Sequence, residues 1–183
     1  MIQSENRTYT EILDFWFSNE NKERWFGKDE KFDNLIRERF LTLYEQAAQG
    51  MLDNWKQTPA GILALIILLD QFSRNMFRGD RRSYATDHQA LSLAKEAINK
   101  GMDKKLSESQ RKFIYMPLMH SENLEDQQLS VQLFANDTLT YFYATRHMEI
   151  IRKFGRFPHR NAILGRKSTN EELIFLKESN ASF

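Results

Sequence analysis

Three short stretches of the sequence hold side chains able to exchange protons or bind charge. They are Asp70, Gln71, Arg74, Asn75 and Arg78; His120, Ser121 and Glu122; and Arg156, His159, Arg160 and Asn161. In the first, spacings of i, i+1, i+4, i+5 and i+8 place one polar stripe on a helix, with Asp70 and Arg74 able to pair. A guanidinium there presents a fork of donors to a carboxylate or phosphate, and the bland alternative is a helix end leaving the core with an ordinary ion pair. In the second, Pro117 lacks a helical N–H and should interrupt or end a helix just before His120. Imidazole titrates near neutrality and carboxylate binds hard cations, so His120 and Glu122 suit acid–base or ligand roles. Equally, His120 can cap one helix and Glu122 open the next near its positive end.

The third stretch, FGRFPHRNAILGRK from Phe154 to Lys167, runs from an expected helix end at Gly155 to an expected cap at Ser168. Unstructured loops of that length are uncommon in compact domains and often functional. Phe154, Phe157 and Pro158 should anchor it to the core, and the bland alternative is a solvated basic loop at a helix C-terminus. Seven Lys/Arg stand against one acid between Arg146 and Lys167, and four Arg against one Asp between Arg74 and Arg82, in a chain whose formal charge is only +1. Positive charge is thus concentrated in two segments. If they meet in space they make a site for an anionic small molecule or an acidic peptide or protein.

What is missing narrows the chemistry. With no cysteine in 183 residues, thiolate catalysis, disulfides, iron–sulfur clusters and cysteine zinc sites are excluded. The near balance of 26 Lys+Arg against 25 Asp+Glu lacks the basic surface of a general nucleic-acid binder. There is no phosphate-binding glycine loop, nucleophile elbow, His-Glu-x-x-His or calcium loop, so neither a cofactor nor a metal is expected. A metal-assisted variant would have to use Asp70, His120, Glu122 and His159. His88 and His147 stand in helical segments without a matching motif and read as structural. Trp16, Trp25, Trp55, most of the fourteen phenylalanines, Met116 and Met119 read as core. The opening MIQSENRTYTEI lacks a basic-then-apolar leader, and the longest apolar run, Ile62 to Leu69, is far short of the ~18 residues of a membrane span. The expectation is a cytoplasmic protein with no membrane partner; its oligomeric state is open.

Few prolines and glycines, with apolar residues at helical spacing between them, predict one all-α domain over residues 1–183, with about seven antiparallel helices around one core. The clearest runs from Asp29, an N-cap, to Gly50. Phe32, Leu35, Ile36, Phe40, Leu43, Tyr44, Ala47 and Ala48 form its buried face, and Asp33, Arg37, Glu38 and Glu45 its wet one. Thr58 caps the next, with Pro59 at its first position. Further helices are expected at Thr10–Phe17, Tyr84–Lys100, from a Ser107/Gln110 capping box, over Leu124–Phe154, and from a Ser168/Glu171 cap.

The stretches ILDFWF, RWFGKDEKFD, LLDQFSRNMFRG, YATD, FIYMPLMHSE and FGRFPHRNAILGRKSTNEE resemble, in that order from about Ile12 to Leu176, the bacterial family named domain of unknown function 924 (DUF924). The resemblance implies a helical array like that of tetratricopeptide (TPR) repeats and no established activity. It also implies that the family's recurrent polar positions fall on Asp70, Gln71, Arg74 and Asn75, on His120, Ser121 and Glu122, and on Arg156, His159, Arg160 and Asn161. The chain departs at Ser73 and Asn170, where members usually have proline, which bears on a kink at the first position and a cap at the second.

Three functions fit. A binding module would line a cleft with Asp70, Gln71, Arg74, Asn75, Arg78, His120, Glu122, Arg156, His159, Arg160 and Asn161 to hold the anion. A small hydrolase or lyase would use His120 or His159 as acid or base, oriented by Asp70 or Glu122, with arginines stabilising charge. A buried ionic network would only fix helix register, with function elsewhere.

Overall fold

A computed structural model of the chain describes the backbone of residues 2–178 and the side chains from Tyr9 onward. Among the described residues there is no strand, and the fold is all-α. The chain divides into two compact units, residues 1–78 with 82–117, and residues 79–81 with 118–183.

The first unit contains α1 (Ile2–Trp16), the single-turn α2 (Asn19–Lys22) and α3 (Glu30–Ala48), and then a 3-10 turn at Asp53–Gln57. A buried segment follows as α4 (Pro59–Ile66), a π-helical turn (Ile67–Phe72) and α5 (Ser73–Met76). Next come α6 (Asp87–Asn99) and α7 (Glu108–Met119), whose last residues enter the second unit. The caps follow the sequence signals. Asp29 accepts from the Phe32 amide at 3.1 Å, Thr58 from the Gly61 amide at 3.0 Å, and Ser107 and Gln110 bond reciprocally. Gly50, at φ 75°, takes the left-handed conformation that ends α3.

Aromatic packing holds this unit together. Phe15, Trp16, Phe32, Phe40, Phe72 and Phe113 are buried, with Trp16 edge-on to Phe72 at 5.4 Å and Phe40 4.9 Å from Phe72. The α3 face is as patterned at Phe32, Ile36, Phe40, Tyr44 and Ala47. Leu43 and Ala48 are only half-buried, and two positions differ outright. Leu35 is 37% exposed, while Asp33, expected in water, is buried because Asn75 and Arg78 come to it.

The second unit contains α8 (Leu124–Leu133), α9 (Thr138–Phe154), a 3-10 turn at Pro158–Arg160, α10 (Asn161–Leu164) and α11 (Asn170–Phe175). The single helix expected over Leu124–Phe154 is therefore two, because Asp137 caps a new start by accepting from the Thr140 amide at 2.9 Å. The stretch 155–167 is not an unstructured loop but carries the 3-10 turn and α10. The final cap is one residue later than expected, Thr169 with Glu172 in a capping box. Pro117 is accommodated inside α7, which continues to Met119. Phe157, fully buried, packs with Ile150, Ile151 and Phe175, with Phe154 against them. No described helix is long and apolar enough to cross a membrane.

Gly61 in α4 faces the backbone of the preceding 3-10 turn so closely that a Cβ there would stand 2.2 Å from the Trp55 carbonyl oxygen. Backbone cannot move aside as a flexible side chain does, so Gly61→Ala is expected to cost about 1–3 kcal/mol, read as a lowered urea midpoint at unchanged m-value.

Candidate functional site

The first polar set lies in the first unit on a helix that is buried all round, and its central turn, Ile67–Phe72, is π-helical. Side-chain donors meet the Leu69 and Asp70 carbonyls of that turn. Ser73 Oγ donates to both, at 2.9 and 3.1 Å, Thr86 Oγ1 to Leu69 at 2.6 Å, and Arg74 Nη1 to Asp70 at 2.8 Å. The distortion thus occurs with serine at position 73. The Asp70 side chain is fully buried and accepts from Gln71, with the Arg74 guanidinium 3.3 Å away. Arg74 is also bidentate to Asp87, at 2.8 and 3.0 Å. Asp33 accepts from Asn75 at 2.7 Å and from Arg78 at 2.6 and 3.0 Å. The stripe is therefore an ionic and amide network in which Arg74 and Arg78 are engaged by carboxylates. Asp33 and Asp87 complete it, and helical spacing alone did not point to either.

The second and third sets come together in the second unit. Gln127, fully buried on α8, donates to the Met119 and Ser121 carbonyls at 2.7 and 2.6 Å, and Arg160 donates to the His120 carbonyl at 3.0 Å. The turn after α7 is thus gripped from two sides. Glu122 accepts from the Phe157 amide at 2.8 Å and from Arg166 at 2.7 and 3.0 Å. Burial pushes the Glu122 carboxyl up, but these bonds prevail and hold it below the usual carboxylate range. Arg166 also donates to Asn161 at 2.9 Å, and Asn161 to Ser168 at 3.0 Å. Arg156 pairs with Glu172 at 2.6 and 2.8 Å, and hydrogen bonds from this guanidinium pull the Glu172 carboxyl down to about 2.

Around the Phe157 ring stand three basic groups. The Arg160 guanidinium lies 4.5 Å from its centroid, with the His147 ring at 5.5 Å and the His159 ring at 5.7 Å. His147 and Arg160 are each only 7% exposed, while His159 and His120 are half-buried. His147, for which the sequence holds no motif, joins this group, and the one signal for it is its place on the inward face of α9. Its Nδ1 is 2.7 Å from the Tyr143 carbonyl. Burial pulls its pKa down to about 3 against the pull of that bond, and the nearby charges of His120, Arg160 and His159 add to the lowering. Among the described residues no three His, Asp or Glu side chains are grouped to hold a metal ion, so the set of Asp70, His120, Glu122 and His159 is not assembled for one.

A family described as bacterial protein of unknown function (DUF924) matches residues 12–180 of this chain. The chain belongs to the DUF924 family. Its fold is also similar to the solved structure of a protein of unknown function from Agrobacterium tumefaciens, with a TM-score of 0.91 at 42% identity over 95% of this chain and 99% of that one. No curated protein matches it. The DUF924 match spans both units, so the first unit's carboxylate–arginine network and the second unit's basic cluster both lie within the family region.

Two outcomes are expected from this geometry. Arg74→Ala should strand the fully buried Asp70 carboxylate and cost about 3–5 kcal/mol in urea unfolding, far more than an exposed ion pair. His147, with a folded pKa below its unfolded one, leaves stability intact above pH ~6.5 and loses it as pH falls from there toward about 3, because the unfolded chain takes the proton first. Between pH 7.5 and 5 this should remove about 2 kcal/mol, and His147→Gln should flatten the stability profile by that amount. An unchanged slope in the variant would contradict the assignment.

Proposed function

We propose that the chain is a binding protein for a small anion, and that the basic cluster around Phe157 in the second unit is its site. The observation that carries the reading is the convergence of His147, His159 and Arg160 on one ring, at 5.5, 5.7 and 4.5 Å, with Arg160 bonded onward to the His120 carbonyl. The groups come from the turn after α7, from α9 and from the 158–160 turn, and Arg160 carries a permanent positive charge. Half-buried His120 and His159 offer access, while buried Arg160 acts where low dielectric strengthens attraction.

Arg74, Arg78 and Arg156, expected in the same cleft, are bonded to Asp87, Asp33 and Glu172. They serve as framework. The hydrolase or lyase reading draws less support, since the bonds of Glu122 go to Arg166 and the Phe157 amide, which suits an anchor better than a proton-transfer group. A TPR-like array working in the cytoplasm, as the resemblance and the cysteine-free composition suggest, belongs to this reading.

Titration calorimetry and thermal shift with sulfate, succinate and orthophosphate test it. At least one should bind wild type and, at 100 times its Kd, add about 2.7 kcal/mol of stability. Arg160→Met and His159→Gln should weaken that anion at least tenfold. Arg156→Ala should lower the melting temperature but leave affinity within twofold, and Lys104→Ala should change neither. Binding by none of the three anions, or equal weakening by all four substitutions, would defeat the reading.

A further inference from the structure

We propose that a cleft between α1, α2 and α3 in the first unit is a further binding site, one that takes a small organic cation bearing a primary ammonium group. Its volume of about 820 Å³ falls within the range of small-molecule sites. All of its lining comes from residues 10–39, so it is built wholly within the first unit and stands independently of the cluster around Phe157. Asn21, which lines the cleft, carries the inference. It is only 8% exposed, and its amide nitrogen donates to the Phe15 carbonyl at 2.8 Å. A carbonyl can only accept, so the amide orientation is set by chemistry and Oδ1 is the atom left over. No donor meets Oδ1, yet it is not sealed off. A nine-tenths-buried amide oxygen without a donor costs free energy, which a donor entering from the cleft would recover.

Ser18 adds a second acceptor. Its Oγ uses its one hydrogen on the same Phe15 carbonyl, at 3.1 Å, and keeps its lone pairs. Because Asn21 and Ser18 meet at one carbonyl oxygen, their acceptors stand side by side where α1 ends, and a helix C-terminus favours positive charge. The charges of the lining point the same way. Arg24 is held by Asp29 at 2.6 and 3.0 Å and lies 4.3 Å from the Phe32 ring centroid. Arg39 is held by Glu11 at 2.8 Å and lies 4.8 Å from that of Phe15. That leaves exposed Asp14 and Glu20, neither of which meets a cation. Among the described residues no three His, Asp or Glu side chains are grouped to hold a metal ion, so these acids suit an organic cation better than a metal. A primary ammonium brings three N–H donors to divide among Oδ1, Oγ and a carboxylate, while its carbon chain finds an apolar wall in Leu35, 37% exposed.

Titration calorimetry at pH 7.5 with n-butylamine, 1,4-diaminobutane and tetramethylammonium tests the site. Both primary amines should bind, and tetramethylammonium, which carries the charge without an N–H donor, should bind at least tenfold more weakly. Asp14→Asn and Glu20→Gln change exposed side chains and should leave the melting temperature of the protein alone unaltered, while each weakens the amines about fivefold, as loss of a partly exposed ion pair does. Glu23→Gln removes a nearby acid that does not line the cleft and should change affinity less than twofold. In nuclear magnetic resonance titrations the Asn21 side-chain amide signals should move with the amine, and those of Asn75, bonded to Asp33, should stay in place. Absence of binding by both primary amines, equal binding of tetramethylammonium, or a loss with Glu23→Gln as large as with Asp14→Asn would overturn the proposal. So would Asn21 signals that stay fixed while the amine binds.

Discussion

A carboxylate removed from water must be met by a cation or by several hydrogen-bond donors, and in a helical fold most backbone amides are already used within the helices. This chain meets the requirement with arginine. Asp33 takes Arg78, Asp70 and Asp87 share Arg74, Glu122 takes Arg166, and Glu172 takes Arg156. Apart from the i,i+4 contact of Arg74 with Asp70, each pairing ties together segments that helical periodicity alone would leave separate. Glu122 and Arg166 are 44 residues apart, and their pairing also fixes the Phe157 amide on which the second unit's core turns.

That constraint sorts the arginines of the motif stretches into two kinds. Those facing a buried acid are held in place and contribute to the fold. Arg160 is differently placed, over the Phe157 ring and against the His120 carbonyl, in the company of imidazoles.

The π-helical turn is the corresponding device in the first unit. A segment buried on all sides has no wet face for a polar residue, yet Asp70 and Gln71 sit in it. In this turn the Leu69 and Asp70 carbonyls take side-chain donors from Ser73, Thr86 and Arg74. Arg74 is shared between the Asp70 carbonyl and the Asp70 and Asp87 carboxylates, so the π-helical turn and the buried charges meet at one guanidinium.

Local physics made the all-α class, the capped helix starts at Asp29, Thr58 and Ser107, the glycine stop at Gly50, the core aromatics and the three polar stretches legible in the sequence. Each of these depends on residues within a turn or two of one another, or on a motif read in order along the chain. The break at Asp137 was hidden because apolar spacing continues across it, and the burial of Asp33 because its partners lie more than forty residues away. His147 carries no motif, and only the packing of α9 against the Phe157 turn brings it to the ring that His159 and Arg160 also meet. By itself, then, the sequence determined which residues can bear charge and which faces must be buried. The tertiary structure decided which of those charges neutralise one another and which gather as a group, since that depends on distances between segments far apart along the chain.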